Sequence, residues 1–323
     1  LSDALKKYQY LDKNERSFIS RLVQGTEERK IELDYIIDSF SKTPVKKQKD
    51  VIRIILEMSV YQLKYMDSVP ASAVCNEAVK LAQRKGFYNL KPFVNGVLRT
   101  IAREIGDLEL PSREENEVRY LSVKYSMPEY LVEKWKAAYG VKTTEKILED
   151  FLTERPITVR CRTHKASLRE IVTSLKSQGV TVEQAPYLPY ALKISDYNHI
   201  LTLETFLQGK ILVQDVSSML VAEAASPKKG DHIIDMCAAP GGKSIHAADK
   251  MGDYGNVDAR DVSQYKADLI KENIHRTGVI NVEARVQDAT VYDPDSEQAA
   301  DIVIADVPCS GYGVIGKKPE IKY

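Results

Sequence analysis

The most constraining feature of this chain lies after residue 210, where apolar runs alternate with helix-patterned segments. HIIDM (232–236), YGNVDA (254–259), NVEARV (281–286) and DIVIAD (301–306) are short, strand-like runs. Helices of roughly 10–15 residues are expected between them, the pattern of a parallel, doubly wound sheet. Ligands of such sheets bind at the C-terminal ends of the strands. The chain stops at Tyr323, soon after the fourth run. Open sheets of this kind usually have more strands, so the core at 210–323 is expected to be incomplete.

Upstream the pattern is helical. VIRIILEMSVYQLKYM (51–66) has apolar residues at helical spacing and no Gly or Pro. ASAVCNEAVKLAQRKG (71–86) starts after Pro70 and stops at Gly86, and PFVNGVLRTIAREI (92–105) begins with Pro, as helices should. Residues 1–106 therefore read as an all-α bundle. The acidic stretch 107–118, with Pro111, reads as a linker. Residues 119–209 read as a small α+β segment: helical to 150, then a strand at PITVRCR (156–162), a helix at SLREIVTSLKSQG (167–179) and a strand at ALKI (191–194). Arg160 and Arg162 alternate on one strand face, where they either meet phosphate or stand in solvent; the pattern favours neither.

Composition narrows the class. Hydrophobic residues make up 43% of the 323 and charged residues 28%, as in ordinary soluble globular proteins. No apolar run reaches the roughly 18 residues a membrane helix needs. Four cysteines lie far apart with no CxxC, so neither a metal site nor a disulfide framework is expected, and a reducing cytoplasm is. Net charge is zero but uneven: residues 1–106 carry 19 basic and 13 acidic groups, residues 228–323 carry 12 and 16. A basic front on an acidic back fits nucleic-acid contact by the front; on charge alone an ordinary solvated surface fits as well.

The loop after the first strand, DMCAAPGGKSIHAADK (235–250), admits three nucleotide-site readings. CAAPGGKS fits a phosphate-binding GxxxxGK[ST] loop except that Cys237 replaces the first Gly, and Pro240 stiffens a loop that must wrap phosphate. GYGVIG (311–316) has the letters of a dinucleotide loop, but Pro319 follows where a helix should run, so that match is accidental. The third reading is S-adenosylmethionine. Asp261 follows the second strand about 20 residues after the glycines, placed to accept both ribose hydroxyls. Asp288 follows the third strand, where it can meet an adenine amine, and Asp306 ends the fourth. Any one Asp here is more often a cap or turn residue; the periodic set is what counts.

Taken together, DMCAAPGGKS, QDA (287–289) and ADVPCSGYGVI (305–315) resemble the RNA 5-methylcytosine methyltransferases. The similarity is to the RsmB/Sun (Fmu) type, which acts on bacterial 16S ribosomal RNA and carries a NusB-like helical domain in front. FVNGVLR (93–99), VPASAVCNEAVKLA (69–82) and ERSFISRLVQG (15–25) resemble that domain, and VQDVSSML (213–220) the approach to the core. The resemblance implies a Rossmann-like methyltransferase core and a monomeric enzyme that binds rRNA. It implies that Cys237, Ala238, Ala239, Pro240, Gly241, Gly242 and Lys243 line the cofactor and that Asp261, Asp288 and Asp306 contact it. It further implies a nucleophilic cysteine in a Thr-Cys pair, expected beyond Tyr323, whereas Cys309 belongs to the Pro-Cys motif.

That assignment makes chemical sense of Asp306 and Cys309 as catalytic residues. Carbon 5 of cytosine becomes nucleophilic when a thiolate adds to carbon 6. A carboxylate beside the ring stabilises the adduct. Without the resemblance, Cys309 reads as a small buried hydrophobe; Cys237 reads as packing. The competing functions are a P-loop-like ATPase and a non-catalytic RNA-binding assembly factor.

Overall fold

The computed structural model describes residues 8, 10–153, 156–252 and 254–323, so the first seven residues of the 1–106 region and residue 9 lie outside the described residues. The chain divides into two compact units, residues 1–154 with 311–323, and residues 155–310.

The first unit is helical. It comprises α1 (Lys13–Phe40), α2 (Asp50–Tyr65), α3 (Ala71–Arg84), α4 (Lys91–Glu104), α5 (Glu117–Tyr125) and α6 (Glu129–Phe151). Asp12 starts α1 through a capping box with Glu15, and α4 has Pro92 in its first turn, where a missing N–H costs nothing. Leu33, Ile37, Leu56, Val60, Val94, Leu98 and Ile101 form the core of α1–α4. The acidic 107–118 stretch is shorter as a linker than its composition indicates. Asn116 caps α5 at Glu117, and Arg113 pairs with Glu117 and Glu145, so its charges are tied to helices. Within this unit Lys322 is buried and donates to the carbonyls of Glu28 and Ser126.

The second unit holds two four-stranded sheets. The first has strand order β2-β3-β1-β4 and is antiparallel: β1 (Ile157–Cys161), β2 (Thr181–Gln184), β3 (Ala191–Ser195) and β4 (Ile211–Val213). The helix α7 (Leu168–Ser177) packs on it through Ile171 and Leu175. After α8 (Glu204–Leu207) and α9 (Val216–Ala225) comes the parallel sheet, order β7-β6-β5-β8, with β5 (His232–Asp235), β6 (Asn256–Asp261), β7 (Val282–Val286) and β8 (Ile302–Ile304). Two helices cross over it, α10 (Gly242–Met251) after β5 and α11 (Gln264–Thr277) after β6. Ile233, Val257, Ala259, Ile245, Ala248 and Ile270 fill the space between sheet and helices.

Three expectations need correction. Among the described residues no α-helix joins β7 to β8; residues 287–301 are polar and hold only a 3₁₀ turn at Pro294–Ser296, because DATVYDPDSEQ has too few apolar residues to cover a sheet. β8 ends at Ile304, so Asp306 lies two residues past the strand and not at its end; Ile304 pairs with Asp235, the last residue of β5. Asp261, by contrast, is the last residue of β6 and not just beyond it.

Arg160 of β1 and Arg162, one residue past it, are neither solvated nor free for phosphate. Arg160 and Arg162 are 2% and 1% exposed. Both reach Asp249 of α10, with Nη1 of Arg160 and Nη2 of Arg162 each 2.6 Å from a carboxylate oxygen. Arg160 Nε donates to Gln214 Oε1, and Arg162 Nη1 to the carbonyls of Gly209 and Thr277. This seam joins the antiparallel sheet to the helix that follows the glycine loop. Burial alone would raise the Asp249 carboxyl, but the two guanidiniums hold it below the usual carboxylate value.

Candidate active site

The site is built on the turn that leaves β5. Asp235 is fully buried and accepts from Ser244 Oγ at 2.6 Å, which ties the strand end to the first turn of α10. Burial pushes Asp235 up to about 6, against the pull of Ser244 and Lys243. The loop then folds on itself: the Met236 amide donates to Ile304, the Ala238 amide to Arg260 and the Gly241 amide to Ala238. Gly241 caps α10 at φ 97°, a left-handed conformation that favours glycine, and a Cβ there would come within 3.3 Å of Ile270 Cγ2. Gly242 differs. A Cβ on it would find only Gln214 Cδ, at 3.9 Å, so the space beside it is open.

The strand-end carboxylates surround this loop unequally. Asp261 is 3% exposed and accepts from the Ala239 amide at 3.0 Å, the Val262 amide at 2.8 Å and Lys266 Nζ at 3.0 Å. Burial opposes its charge, but the lysine and the two amides outweigh burial and hold the carboxyl low. Asp306 is exposed and lies 2.5 Å from Lys243 Nζ. Asp288 is also exposed and closes its own turn, accepting from the Thr290 amide and hydroxyl. Of the sequence-predicted residues, the structure thus brings together Cys237 to Lys243, Asp261 and Asp306 by direct bonds. It links Asp288 to none of them.

The two thiols differ in exposure. Cys237 is partly buried, Cys309 exposed. Burial, then Asp261 and with smaller effect Asp235 and Asp306, push the Cys237 thiol up, so it stays protonated and unreactive at neutral pH. Cys309 is not the buried hydrophobe that its residue type alone indicates; it stands in water three positions after Asp306.

This electrostatic environment selects among ligands. Asp235, Asp261 and Asp306 lie around the loop, and Lys243 and Lys266 are each paired with one of them, so neither lysine is left to meet a triphosphate. Lys243, which a phosphate loop would need free, is engaged by Asp306. A sulfonium with an adenosine arm fits these residues: cationic centre near carboxylates, open space at Gly242 and a buried carboxylate at the β6 end. Sequence reasoning missed Ser244, Gln214 and Lys266. Lys266 did leave a signal, because a lysine in the first turn of a helix opposes the helix dipole and calls for a nearby anion.

Comparison with known proteins fits this geometry. Residues 222–323 match the 16S rRNA methyltransferase RsmB/F family, residues 1–103 the NusB family, and residues 127–200 the ferredoxin-like domain of RsmF/B-like methyltransferases. The "Probable ribosomal RNA small subunit methyltransferase B" of Bacillus subtilis (strain 168) is 38% identical over all of this chain and 71% of its own length. The chain belongs to the ribosomal RNA small subunit methyltransferase B family. The crystal structure of PH0851 is similar across 99% of the chain and 72% of its own length, with TM-score 0.79 and 26% identity. A methyltransferase homolog protein from Pyrococcus horikoshii aligns over 62% of the chain and 65% of its own, with TM-score 0.55 and 26% identity. As a member of this methyltransferase family the chain uses S-adenosylmethionine. No helix among the described residues is long and apolar enough to cross a membrane.

Proposed function

We propose that this chain methylates carbon 5 of a cytosine in 16S ribosomal RNA. The observation that carries the reading is the exposed Cys309, three residues past Asp306, with Asp306 bonded to the cofactor-loop residue Lys243. S-adenosylmethionine, held by Cys237 to Lys243 with Asp261 and Asp288, supplies the methyl group. Asp306 serves both the cofactor side and the ring edge of the base, where nitrogen 3 takes up a proton as the thiol adds to carbon 6 and its N–H then donates to the carboxylate. Cys309 stands beside the base without being the attacking thiol. Attack belongs to the second cysteine of the family's Thr-Cys pair, and Cys309 acts afterwards, when the carbon 5 proton is removed and the product released.

Residues 1–106 add RNA affinity, residues 119–209 orient the target segment, and the protein works as a monomer. In support, six basic and two acidic side chains lie in residues 71–104, so four of the six net positive charges of residues 1–106 sit on α3, α4 and the turn between them. Lys80, Lys91 and Arg99 line one groove there with Asn76, Gln83 and Asn95. Phosphate contact by such a groove makes affinity fall steeply with salt.

Mass spectrometry of ribosomal RNA from cells lacking the protein tests the reaction. Loss of one 5-methylcytidine from 16S RNA is the expected result; an unchanged inventory overturns it. Isothermal titration with S-adenosylmethionine and with ATP separates the enzyme from an ATPase, and from an RNA-binding factor with an inert core.

A further inference from the structure

We propose that Lys266 holds the place of the cofactor ribose on Asp261 and must leave it when a ligand with a vicinal diol binds. The inference rests on the reading that Asp261 receives the ribose. A carboxylate offers about four lone-pair positions. On Asp261 Oδ1, the Val262 amide at 2.8 Å and Lys266 Nζ at 3.0 Å take two; on Oδ2 the Ala239 amide at 3.0 Å takes one. One position remains, while a diol that straddles the carboxylate needs one on each oxygen. The two amides belong to the loops that shape the site, and neither can move without unmaking it. The lysine can. Its side chain is 43% exposed, against 4% for that of Asp261, so its ammonium can swing into water from an anchor on α11.

Position supports this role. Ser263 caps α11, which puts Lys266 in the helix's first turn, where the dipole disfavours a cation. Asp261 is therefore the main reason for the ammonium to stay. A buried carboxylate left bare is costly, and Lys266 neutralises it while no ligand is present. Binding exchanges that ion pair for two hydroxyl hydrogen bonds, so the lysine lowers affinity for every diol ligand. It leaves a ligand that lacks one hydroxyl nearly unaffected, since the free position on Oδ2 suffices for that ligand.

Titration calorimetry on the wild type and Lys266→Met, with S-adenosylmethionine, S-adenosylhomocysteine and 2′-deoxy-S-adenosylhomocysteine, tests the proposal. Lys266→Met is expected to bind the two diol ligands about three- to fivefold more tightly, the span of a partly exposed ion pair, and the deoxy ligand unchanged. Added salt screens the pair, so the ratio of variant to wild-type affinity should shrink toward one. Weaker or equal diol binding by Lys266→Met, or an equal gain for the deoxy ligand, overturns the proposal. Asp261→Ala distinguishes the other failure: if it binds S-adenosylmethionine as well as the wild type does, the ribose reading falls and takes this inference with it.

Discussion

Arg162 grips Asp249 as a fork, with Nε 2.9 Å from Oδ2 and Nη2 2.6 Å from Oδ1, and both side chains are buried. Arg160 approaches the same carboxylate, so one acid answers two guanidiniums. Asp249→Ala would leave both without their counter-charge. We expect a loss of roughly 3–5 kcal/mol in the second unit, the usual cost of breaking a buried pair from one side. Hydrogen exchange across β1 and α10 should show it. The triple replacement Arg160→Met, Arg162→Met and Asp249→Leu should cost far less, since it removes every charge at once; equal losses in both proteins would refute the ion-pair account.

Gly241 and Gly242 should separate folding from binding. Gly241→Ala meets both left-handed strain and Ile270, and should lower stability by about 1–2 kcal/mol. Gly242→Ala meets nothing but Gln214 at contact distance, so its melting temperature should stay near wild type while S-adenosylmethionine binding weakens at least tenfold. Undiminished binding by Gly242→Ala would mean that the open space there is not occupied by the ligand.

Asp261→Ala should weaken S-adenosylmethionine by roughly 1–3 kcal/mol, the worth of hydrogen bonds to a charged group. It also frees the Ala239 amide, so hydrogen exchange at Ala239 should accelerate even without ligand. Unaltered exchange would show that the Asp261 bond does not hold the loop.

Much of this was legible beforehand, and the failures have physical causes. The strand at 232–236 and the helices at 51–66, 71–86 and 92–105 were readable because periodicity and Pro or Gly boundaries agree there. Arg160 and Arg162 were not, because alternation marks a strand face without saying what covers it; their partner Asp249 lies 87 positions beyond Arg162. The expected helix between β7 and β8 came from extending a repeat across DATVYDPDSEQ, where polar composition already argued against it. In the loop, small residues marked a close backbone approach, but the pairing of Lys266 with Asp261 depends on how the chain turns after β6, which spacing alone does not show.

Glu57 gives the first unit a pH dependence. It is buried on α2, and burial, reinforced by Asp34 on α1, pushes it up to about 7. A carboxyl whose folded value exceeds its unfolded 4.5 binds its proton more tightly when folded. Its stabilisation is complete below about 4.5 and disappears as pH rises through about 7. The melting temperature of the helical unit should therefore fall between pH 5 and pH 8, by the equivalent of about 2–3 kcal/mol at most. Glu57→Gln should flatten that profile. A wild-type profile that rises across the interval would contradict the assignment.

Trp135 is the sole tryptophan of the chain, and its ring meets Tyr312 edge-on at 6.4 Å and Phe151 at 5.7 Å. Tyr312 follows Cys309 by three positions. The molecule thus carries a built-in optical probe one short segment from the thiol, with no label needed. Any event that pulls on residues 309–312, whether alkylation of the thiol or seating of a nucleotide, has a direct route to the emission of a single chromophore, readable in a stopped-flow cuvette turnover by turnover.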